Sequence, residues 1–313
     1  MPSLDVVVPV YGGWEHVEPC LRALAAQTVD VTVIVVDDHS PDDTADRIAA
    51  AFPELTLLRN TRNRGFAHTA NRGMAHGDAP FVMLVNSDVV AEPTLAAQVL
   101  AAFDEGGDGV GSVAPLLLRP DGRIDSLGIT ADATAAGFVR YHGASRAYPE
   151  TPPLLGPYGA AAAYRRRALG EVGLLDEGIF MYGEELDLAF RLRAAGWRAV
   201  GLDEPGGVHI GGASAGEGSP RQRYLAGFGR GYLLRAWGVL RTRRAARALL
   251  VEAIVCLRRL LLHRDVKSLT GRIAGWRAAR REVRPDFPLD AVDPSIGLML
   301  SLRMRAESYW ERG

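Results

Sequence analysis

Short apolar runs alternate with amphipathic stretches through the first half of the chain. Runs rich in Val, Ile and Leu predict buried β-strands, and the longer stretches between them carry apolar residues at helical spacing. This alternation of strands and helices indicates βαβ units and a parallel sheet, so the fold class is α/β. The predicted elements are strand Asp5 to Val10, helix Trp14 to Gln27, strand Val31 to Val36, helix Pro41 to Ala51 and strand Leu55 to Leu58.

The helix predicted from Pro41 has the clearest start. Ser40 is a candidate N-cap, and Pro41 occupies the first helical position. Asp42 and Asp43 follow in the first turn, where the positive end of the helix dipole stabilises acidic side chains. We therefore expect this helix to begin directly after Ser40.

Elements further along the chain are predicted from shorter signals. Residues Thr130 to Pro157 show no firm periodicity and are rich in Pro, Gly and Tyr, which predicts irregular structure over the site. Gly196 is placed to close a helix at its C′ position. The other predicted elements are strand Phe81 to Val85, a helix beginning near Pro93, strand Val110 to Ala114, helix Arg165 to Glu171, helix Glu184 to Ala195 and strand Trp197 to Leu202.

Two segments are candidates for binding a nucleotide at the carboxyl ends of the strands, where open α/β sheets bind ligands. In Asp37-Asp38, a carboxylate would accept a hydrogen bond from a pyrimidine N–H or a ribose hydroxyl, or else both residues cap the turn. The segment Arg62 to Gly73 supplies amides, cations and glycine, but a solvated basic helix start would look similar. It contains neither G-x-G-x-x-G nor a phosphate loop, and the absence of G-x-G-x-x-G after the first strand argues against a dinucleotide dehydrogenase.

A divalent cation would neutralise the charge that grows on a diphosphate leaving group. Asp88, in Asn86-Ser87-Asp88 at the end of a predicted central strand, is the candidate ligand. His209 follows a strand-like segment and would supply a second ligand from the far side of the crevice. A structural role for this lone histidine is the alternative that local spacing leaves open.

Three acidic residues begin the helix predicted from Glu184. Glu184 and Asp187 lie one turn apart on one face, and Glu185 points elsewhere. Acids are stabilised at a helix start in any case. Glu185 is nevertheless free to face a substrate, and we expect it to act as the general base for an acceptor hydroxyl.

The overall composition does not indicate a class of binding partner. The 313 residues are 48% hydrophobic and 23% charged, with a formal net charge of -1, typical of a globular protein with one large domain or a domain plus an appendage. Cys20 and Cys256 are the only cysteines, so neither a disulfide framework nor a cysteine metal site is indicated, and a reducing cytoplasm fits. The N-terminal apolar run, interrupted by Pro9, predicts a strand rather than a secretory signal.

Charge is concentrated towards the C-terminus. From Arg221 to Arg284 there are 17 Arg and Lys residues against three acidic residues. The apolar stretch Ala245 to Leu262 is interrupted by Glu252, Arg258 and Arg259 and predicts no transmembrane helix. It predicts either an anionic membrane contact or a helix packed on the preceding domain. Nucleic-acid binding is disfavoured because no recognised module accompanies the charge.

Five segments, in order, together resemble family 2 glycosyltransferases, particularly the rhamnosyltransferase-like branch. The resemblance implies a GT-A fold, which is a Rossmann-like mixed sheet flanked by helices. It also implies a catalytic domain over residues 1–215, divided into a nucleotide-sugar half (1–115) and an acceptor half (116–215), before a basic helical region (216–313). The segments are VVVPVYGG, VIVVDDHSPDDT, RNRGFAHTANRG, FVMLVNSDVV and GLLDEGIFMYGEELDLAFRLRAAGWRAV, the last followed by VHIGGAS.

The resemblance also implies roles for individual residues. Asp88 and His209 would hold Mg²⁺ or Mn²⁺, and Glu185 would be the base, with Asp187 as a substitute candidate. The donor nucleotide would be bound by Pro9, Tyr11, Asp38, Asn63, Gly65, Asn71, Asn86 and Ser87.

The implied reaction inverts the anomeric carbon by direct displacement. A dTDP- or UDP-sugar, with rhamnose a reasonable choice, would donate a hexose or deoxyhexose to a glycan or lipid-linked acceptor. The site would be cytoplasmic or peripheral at the inner face of the plasma membrane. Two residues depart from the family pattern: Asn86 replaces the first Asp of Asp-x-Asp, and Glu185 replaces Asp at the base position. These departures motivate the alternative of an inactive nucleotide-sugar-binding scaffold.

Overall fold

The fold is built on one mixed β-sheet with helices on both faces. A computed structural model describes residues 3–145, 152–211, 219–305 and 309–310. The strands are β1 (Leu4–Val10), β2 (Thr32–Asp37), β3 (Thr56–Arg59), β4 (Phe81–Val85), β5 (Val89–Ala91), β6 (Val110–Leu118), β7 (Ile124–Leu127), β8 (Ile129–Ala131), β9 (Gly137–Val139), β10 (Ala161–Arg165) and β11 (Arg198–His209). The helices are α1 (Trp14–Ala25), α2 (Thr44–Ala51), α3 (Phe66–His76), α4 (Leu95–Gly106), α5 (Arg166–Val172), α6 (Glu184–Ala194), α7 (Pro220–Ala236), α8 (Ala245–His263), α9 (Lys267–Ala278) and α10 (Leu298–Met304).

The main sheet has the order β3-β2-β1-β4-β10-β6-β11-β5, with β7 paired to β6. Strands β1 to β4 are parallel to one another, as their alternation with helices predicts. Strand β10 runs antiparallel to both neighbours, and β11 runs parallel to β6. The sheet is therefore mixed, as the family resemblance implies.

The central strand β1 is buried on both faces. Val6 and Val8 belong to the apolar cluster that includes Leu21 of α1, whereas Val7 belongs to the cluster that includes Met74 of α3. Successive side chains of a strand point to opposite faces, so a strand covered by helices on both sides reads as a continuous apolar run. This explains why the first strand was evident from the sequence.

The predicted start of the second helix is wrong. Helix α2 begins at Thr44, and Ser40 does not cap it. Instead the Ser40 hydroxyl donates to the Asp37 carboxylate and accepts a hydrogen bond from the backbone N–H of Gly12 at 2.7 Å. The hydroxyl therefore ties two loops together at the strand ends, which a local capping pattern does not reveal.

The segment predicted to be irregular contains two short strands. Strands β8 and β9 pair antiparallel as a separate small sheet. Each has only three residues, too few for an alternating pattern to stand out. Residues 146–151, which belong to the same predicted segment, lie outside the described residues.

Helices α7 and α9 pack backbone against backbone. An added Cβ at Gly275 would overlap the carbonyl oxygen of Phe228, and one at Gly231 would overlap that of Arg272. Small residues at such positions allow this close approach of two helices. The predicted helical character of the C-terminal region is thus confirmed, whereas its predicted boundary at residues 215/216 lies outside the described residues and stays a prediction.

Across residues 3–145, 152–211, 219–305 and 309–310, the helices lack the combination of length and apolar character needed to cross a bilayer.

Candidate active site

A cleft of about 520 Å³ lies at the carboxyl ends of β1, β2 and β4. It brings together nearly all the residues singled out in the sequence, from segments some 200 positions apart. Asn71 and Asp187 are the predicted site residues that do not line it. The predicted residues that do are Pro9, Tyr11, Asp38, Asn63, Gly65, Asn86, Ser87, Asp88, Glu185 and His209.

Asp38 lines the cleft and also organises the loop after β3. Its Oδ1 accepts hydrogen bonds from Asn60 Nδ2 at 2.7 Å and from the backbone N–H of Arg64 at 2.8 Å. Its Oδ2 accepts the backbone N–H of Gly65 at 2.8 Å. Asp37 is turned to Ser40. Asp37 therefore stabilises the turn after β2, which was one of the two roles considered for this pair. Asp38 both holds the loop after β3 in place and forms part of the cleft wall.

The loop that carries Asn63 and Gly65 lines the cleft and packs closely against Phe180. Gly65 has φ of 88°, and an added Cβ would lie 2.5 Å from the carbonyl oxygen of Phe180. The side-chain oxygen of Asn63 is buried and has no hydrogen-bond partner among the residues that the structure describes. A buried polar atom without a partner is costly, so a ligand donor at this position would be favourable.

Asp88 and His209 are in direct contact on one side of the cleft. The distance from Asp88 Oδ1 to His209 Nε2 is 3.3 Å, and His209 Nδ1 lies 2.9 Å from Asp125 Oδ2. Burial lowers the pKa of the His209 imidazole, but its hydrogen bonds to Asp125 and Asp88 outweigh this effect and raise the pKa to about 10. The imidazole is therefore oriented by one carboxylate and faces another.

This arrangement fits a divalent cation with few protein ligands. No cluster of three or more His, Cys, Asp or Glu side chains that could hold a metal occurs in the described part of the chain. Mg²⁺ in phosphate sites is commonly bound through one or two carboxylates plus substrate phosphates and water. Hydrogen bonding of a ligand histidine to a carboxylate such as Asp125 is also usual at metal sites. Asp88 could thus hold such a cation, and His209 could join it only in its neutral form, because a ligand imidazole must give up the proton that its raised pKa favours.

Glu184 and Glu185 enter the cleft from the N-terminus of α6. The preceding turn places Tyr182 at φ of 72° and Gly183 at φ of 105°. Glu185 Oε2 accepts the backbone N–H of Gly183 at 3.1 Å. Burial raises the pKa of both carboxyl groups, and the neighbouring charge of Glu185 raises that of Glu184 further. The helix start thus holds two acids that gain protons more readily than ordinary glutamates.

Tyr158 lies between the two acidic sides of the cleft. Burial raises the pKa of its phenol, and the charges of Asp125 and Glu185 raise it further. Asp88 acts on the same phenol in the same direction. Carboxylates from the β4–β5 connection, from β7 and from α6 thus line the same cleft as Tyr158 and act on its phenol.

The two predicted residues outside the cleft have structural partners. Asp187 is fully buried and accepts hydrogen bonds from Arg191 Nε at 2.8 Å, Trp237 Nε1 at 3.0 Å and Arg284 Nε at 2.9 Å. Asn71 donates to the carbonyl oxygen of Leu175 at 2.8 Å and accepts the backbone N–H of the same residue at 3.0 Å. Both side chains face the protein interior.

Several cleft residues were not anticipated from the sequence. Asp125, His142 and Tyr158 come from the part of the chain between β6 and β10, and Arg221 comes from α7. Arg221 lies over the Phe180 ring, 5.6 Å from its centroid. Their signals are single residues without a motif, so only the folded arrangement identifies them.

Comparisons with known proteins agree with this geometry. The N-acetylglucosaminyl-diphospho-decaprenol L-rhamnosyltransferase of Mycobacterium tuberculosis is 29% identical over 223 residues, covering 63% of this chain and 72% of that protein. The pre-mycofactocin glycosyltransferase of the same organism is 30% identical over 203 residues, covering 63% of this chain and 40% of that protein.

Solved structures support the fold. The mannosyltransferase PcManGT from Pyrobaculum calidifontis, in complex with GDP-Man and Mn²⁺, superposes with a TM-score of 0.52 at 20% identity, covering 89% of this chain and 87% of that chain. S. aureus TarS 1-349 gives a TM-score of 0.58 at 16% identity, covering 99% of this chain and 89% of that chain. The mixed sheet with its flanking helices is therefore the GT-A fold of glycosyltransferases.

The family assignment comes from the sequence itself. The model of the family described as "Glycosyl transferase family 2" matches residues 5–173, which is more than half of the chain. The match covers β1 to β10 and so includes the strand ends that form the donor side of the cleft. The chain belongs to glycosyl transferase family 2 and is a sugar-transferring enzyme.

Proposed function

We propose that this enzyme transfers a hexose or deoxyhexose from a nucleoside-diphosphate sugar to an acceptor hydroxyl, with inversion at the anomeric carbon. The observation that carries the proposal is the convergence of Asp88 and His209 on one side, and Glu185 on the other, around the cleft that Tyr158 lines. Direct displacement needs a leaving-group side and a base side that share one substrate space.

On the donor side, the nucleotide would lie against Pro9, Tyr11 and Asp38 at the ends of β1 and β2. The side-chain oxygen of Asn63 would accept a hydrogen bond from the nucleotide there, which would satisfy this buried atom. Asn86 and Ser87 would border the diphosphate. A dTDP- or UDP-sugar fits this proposal, since a carboxylate such as Asp38 accepts a pyrimidine N–H.

Asp88 and His209 would hold Mg²⁺ or Mn²⁺ next to the diphosphate. The cation supplies charge neutralisation for the departing nucleoside diphosphate. Asn86 carries no charge, so Asp88 is the carboxylate that this strand end contributes, and Asp125 keeps the His209 ring oriented. The structure of a neighbour with Mn²⁺ supports this choice of ion.

On the acceptor side, Glu185 would take the proton of the attacking hydroxyl. The hydrogen bond from Gly183 N–H fixes the carboxylate orientation at the helix start. Asp187, the substitute candidate, has its carboxylate occupied by arginine and tryptophan side chains. We therefore retain Glu185 as the base and assign Asp187 a structural role.

The relatives guide the choice of substrates. Rhamnose is the sugar, and a diphospho-decaprenol the carrier, in the name of the mycobacterial relative that is 29% identical to this chain over 223 residues. We propose a comparable deoxyhexose donor and a glycan or lipid-linked acceptor in cell-surface polysaccharide or glycolipid synthesis. Such an acceptor implies a cytoplasmic enzyme that is peripheral at the inner face of the plasma membrane.

Asp88→Ala is expected to lower donor turnover at least about 10²-fold and to weaken Mn²⁺ binding, because it removes a negatively charged oxygen ligand. Release of nucleoside diphosphate from a panel of donors measures turnover, and calorimetry with Mn²⁺ alone measures binding. Asp104→Ala, at an exposed position on α4, is the matched control and should change neither. Unchanged turnover and Mn²⁺ affinity in Asp88→Ala would contradict the metal assignment.

The scaffold alternative makes a different prediction in the same experiment. A non-catalytic relative would bind nucleoside diphosphate in calorimetry without releasing it from any donor. Family membership and the complete cleft do not favour this alternative.

The pH profile of kcat/KM is expected to have an acid limb above pH 4.5. Only ionised Glu185 can accept a proton, and burial raises its pKa above the ordinary 4.5, so activity is lost as pH falls through the raised value. Circular dichroism over the same range controls for acid unfolding. An acid limb at or below pH 4.5 would speak against Glu185 as the base.

A further inference from the structure

Helix α8 presents an apolar stripe to solvent. Leu250, Ile254, Leu257 and Leu261 recur at positions i, i+4, i+7 and i+11, so they lie on one face. All four are exposed, with Leu257 at 54% and Leu261 at 70% of their full accessible surface. Leucines exposed singly are normal, but a continuous row over three turns marks a contact surface.

The opposite face of α8 is buried and includes a charge. Ala248 and Val251 pack inwards, and beside them Glu252 lies 2.8 Å from Arg230 Nε and 2.7 Å from Arg272 Nε. Coulombic attraction to these arginines overcomes the effect of burial and lowers the pKa of the Glu252 carboxyl to about 2. The helix is thus anchored by a buried ion pair and keeps its most apolar side facing out.

Further exposed apolar side chains lie at the end of α8 and along α9. Leu262, Val266, Leu269 and Ile273 are all exposed. We call the exposed apolar side chains of α8 and α9, from Leu249 to Ile273, the α8–α9 face.

Exposed basic residues lie on the same two helices, and neither acidic residue between positions 245 and 278 is exposed. Arg258, Arg264 and Lys267 are exposed at the junction of α8 and α9. The acidic residues of the same stretch, Glu252 and Asp265, are both buried, and Asp265 lies 3.0 Å from Arg223 Nε. The surface that remains accessible between residues 245 and 278 is therefore apolar and cationic.

We propose that the α8–α9 face docks on an anionic phospholipid bilayer. The leucines would enter the boundary between headgroups and acyl chains, while the arginine and lysine heads stay at the level of the phosphates. This inference rests on the proposed function, because a lipid-linked acceptor would bring the enzyme to a membrane. It adds to that function the surface that would contact the bilayer.

Charge complementarity selects the bilayer over a second copy of the chain. A two-fold contact through the same face would bring its own arginines and lysines towards one another, and like charges in an interface are unfavourable. An anionic bilayer offers both an apolar layer and negative headgroups. Each basic residue near such a surface adds to its attraction, and this attraction is weakened by salt.

Flotation with vesicles tests the proposal on the full chain without donor or acceptor. Wild-type protein is expected to float with vesicles of phosphatidylglycerol and phosphatidylcholine in equal parts, and less with phosphatidylcholine alone or in high salt. Leu257→Glu/Leu261→Glu should weaken vesicle binding at least about tenfold, because two carboxylates replace apolar side chains that would be buried.

The matched control is Leu289→Glu/Met299→Glu, which changes two exposed apolar residues outside the α8–α9 face. It should float as the wild type does. Release of nucleoside diphosphate by the Leu257→Glu/Leu261→Glu protein with a water-soluble acceptor should be unchanged, which separates failure of the membrane proposal from failure of the catalytic one. Absence of flotation, equal flotation of both double variants, or a vesicle-free dimer that Leu257→Glu/Leu261→Glu converts to monomer would each overturn the proposal.

Discussion

Glu185→Gln is expected to lower kcat about 10²- to 10⁴-fold while nucleoside diphosphate binding stays near that of the wild type. The amide has nearly the shape of the carboxylate but cannot accept the proton of the acceptor hydroxyl. It also faces the cleft from the start of α6 rather than from the interior, so the fold should tolerate the change. Single-turnover transfer and nucleotide calorimetry on the same preparation measure the two effects.

Glu105→Gln provides the control for this experiment, because Glu105 is an exposed residue near the end of α4. It should retain full kcat. If Glu185→Gln turned over donor at the wild-type rate, another group would have to be the base. Loss of nucleotide binding in parallel with kcat would instead point to a donor-side role.

Asp187→Ala is expected to destabilise the fold by about 3–5 kcal/mol, because removal of one partner leaves buried arginines without compensation. Burial lowers the pKa of the Arg284 guanidinium. The carboxylates of Asp187 and Asp176 raise it by more, so that it stays above its ordinary value. Arg191 depends on the same Asp187 carboxylate. Urea unfolding gives the change in free energy.

Asp46→Ala is the matched control, since it removes an exposed carboxylate that pairs with Arg59 at 2.8 Å. Such surface pairs contribute only about 0–1 kcal/mol. An Asp187→Ala protein with unchanged stability and abolished turnover would contradict the structural role and return Asp187 to the reaction.

The contrast between Glu185 and Asp187 illustrates what the sequence can predict about this site. Acidic residues at a helix start are visible in the sequence, and so is the turn that separates them. Which side of the helix meets the cleft depends on what packs against the other side. For α6 that neighbour includes Trp237 and Arg284, which lie far along the chain and have no motif to link them to it.

The strands of the sheet also differ in how well the sequence predicts them. Strands β1, β2 and β4 are rich in Val, Leu and Ile and were predicted almost to the residue. Strand β10, with the sequence AAAYR, was missed because alanine does not favour strands. Its place between β4 and β6 is set by antiparallel pairing with strands that lie far away in the sequence.

The donor side was predicted by family resemblance rather than by pattern alone. Asp88 and His209 lie 121 positions apart, and only the pairing of β5 with β11 brings their strand ends together. Asp125 completes their arrangement from β7, a four-residue strand that the sequence pattern does not predict. Long-range strand pairing of this kind leaves no local trace in the sequence.

The glycine contact between α7 and α9 connects the cleft to the proposed membrane-binding face. Arg221 and Gln222 at the start of α7 form part of the cleft wall, and α9 carries part of the α8–α9 face. Because backbone lies directly on backbone, no layer of adjustable side chains separates these helices. A protein seated on lipid through α9 would hold its cleft at a set height and tilt above the bilayer, which limits the acceptors it can serve to those whose reactive hydroxyl projects to that height.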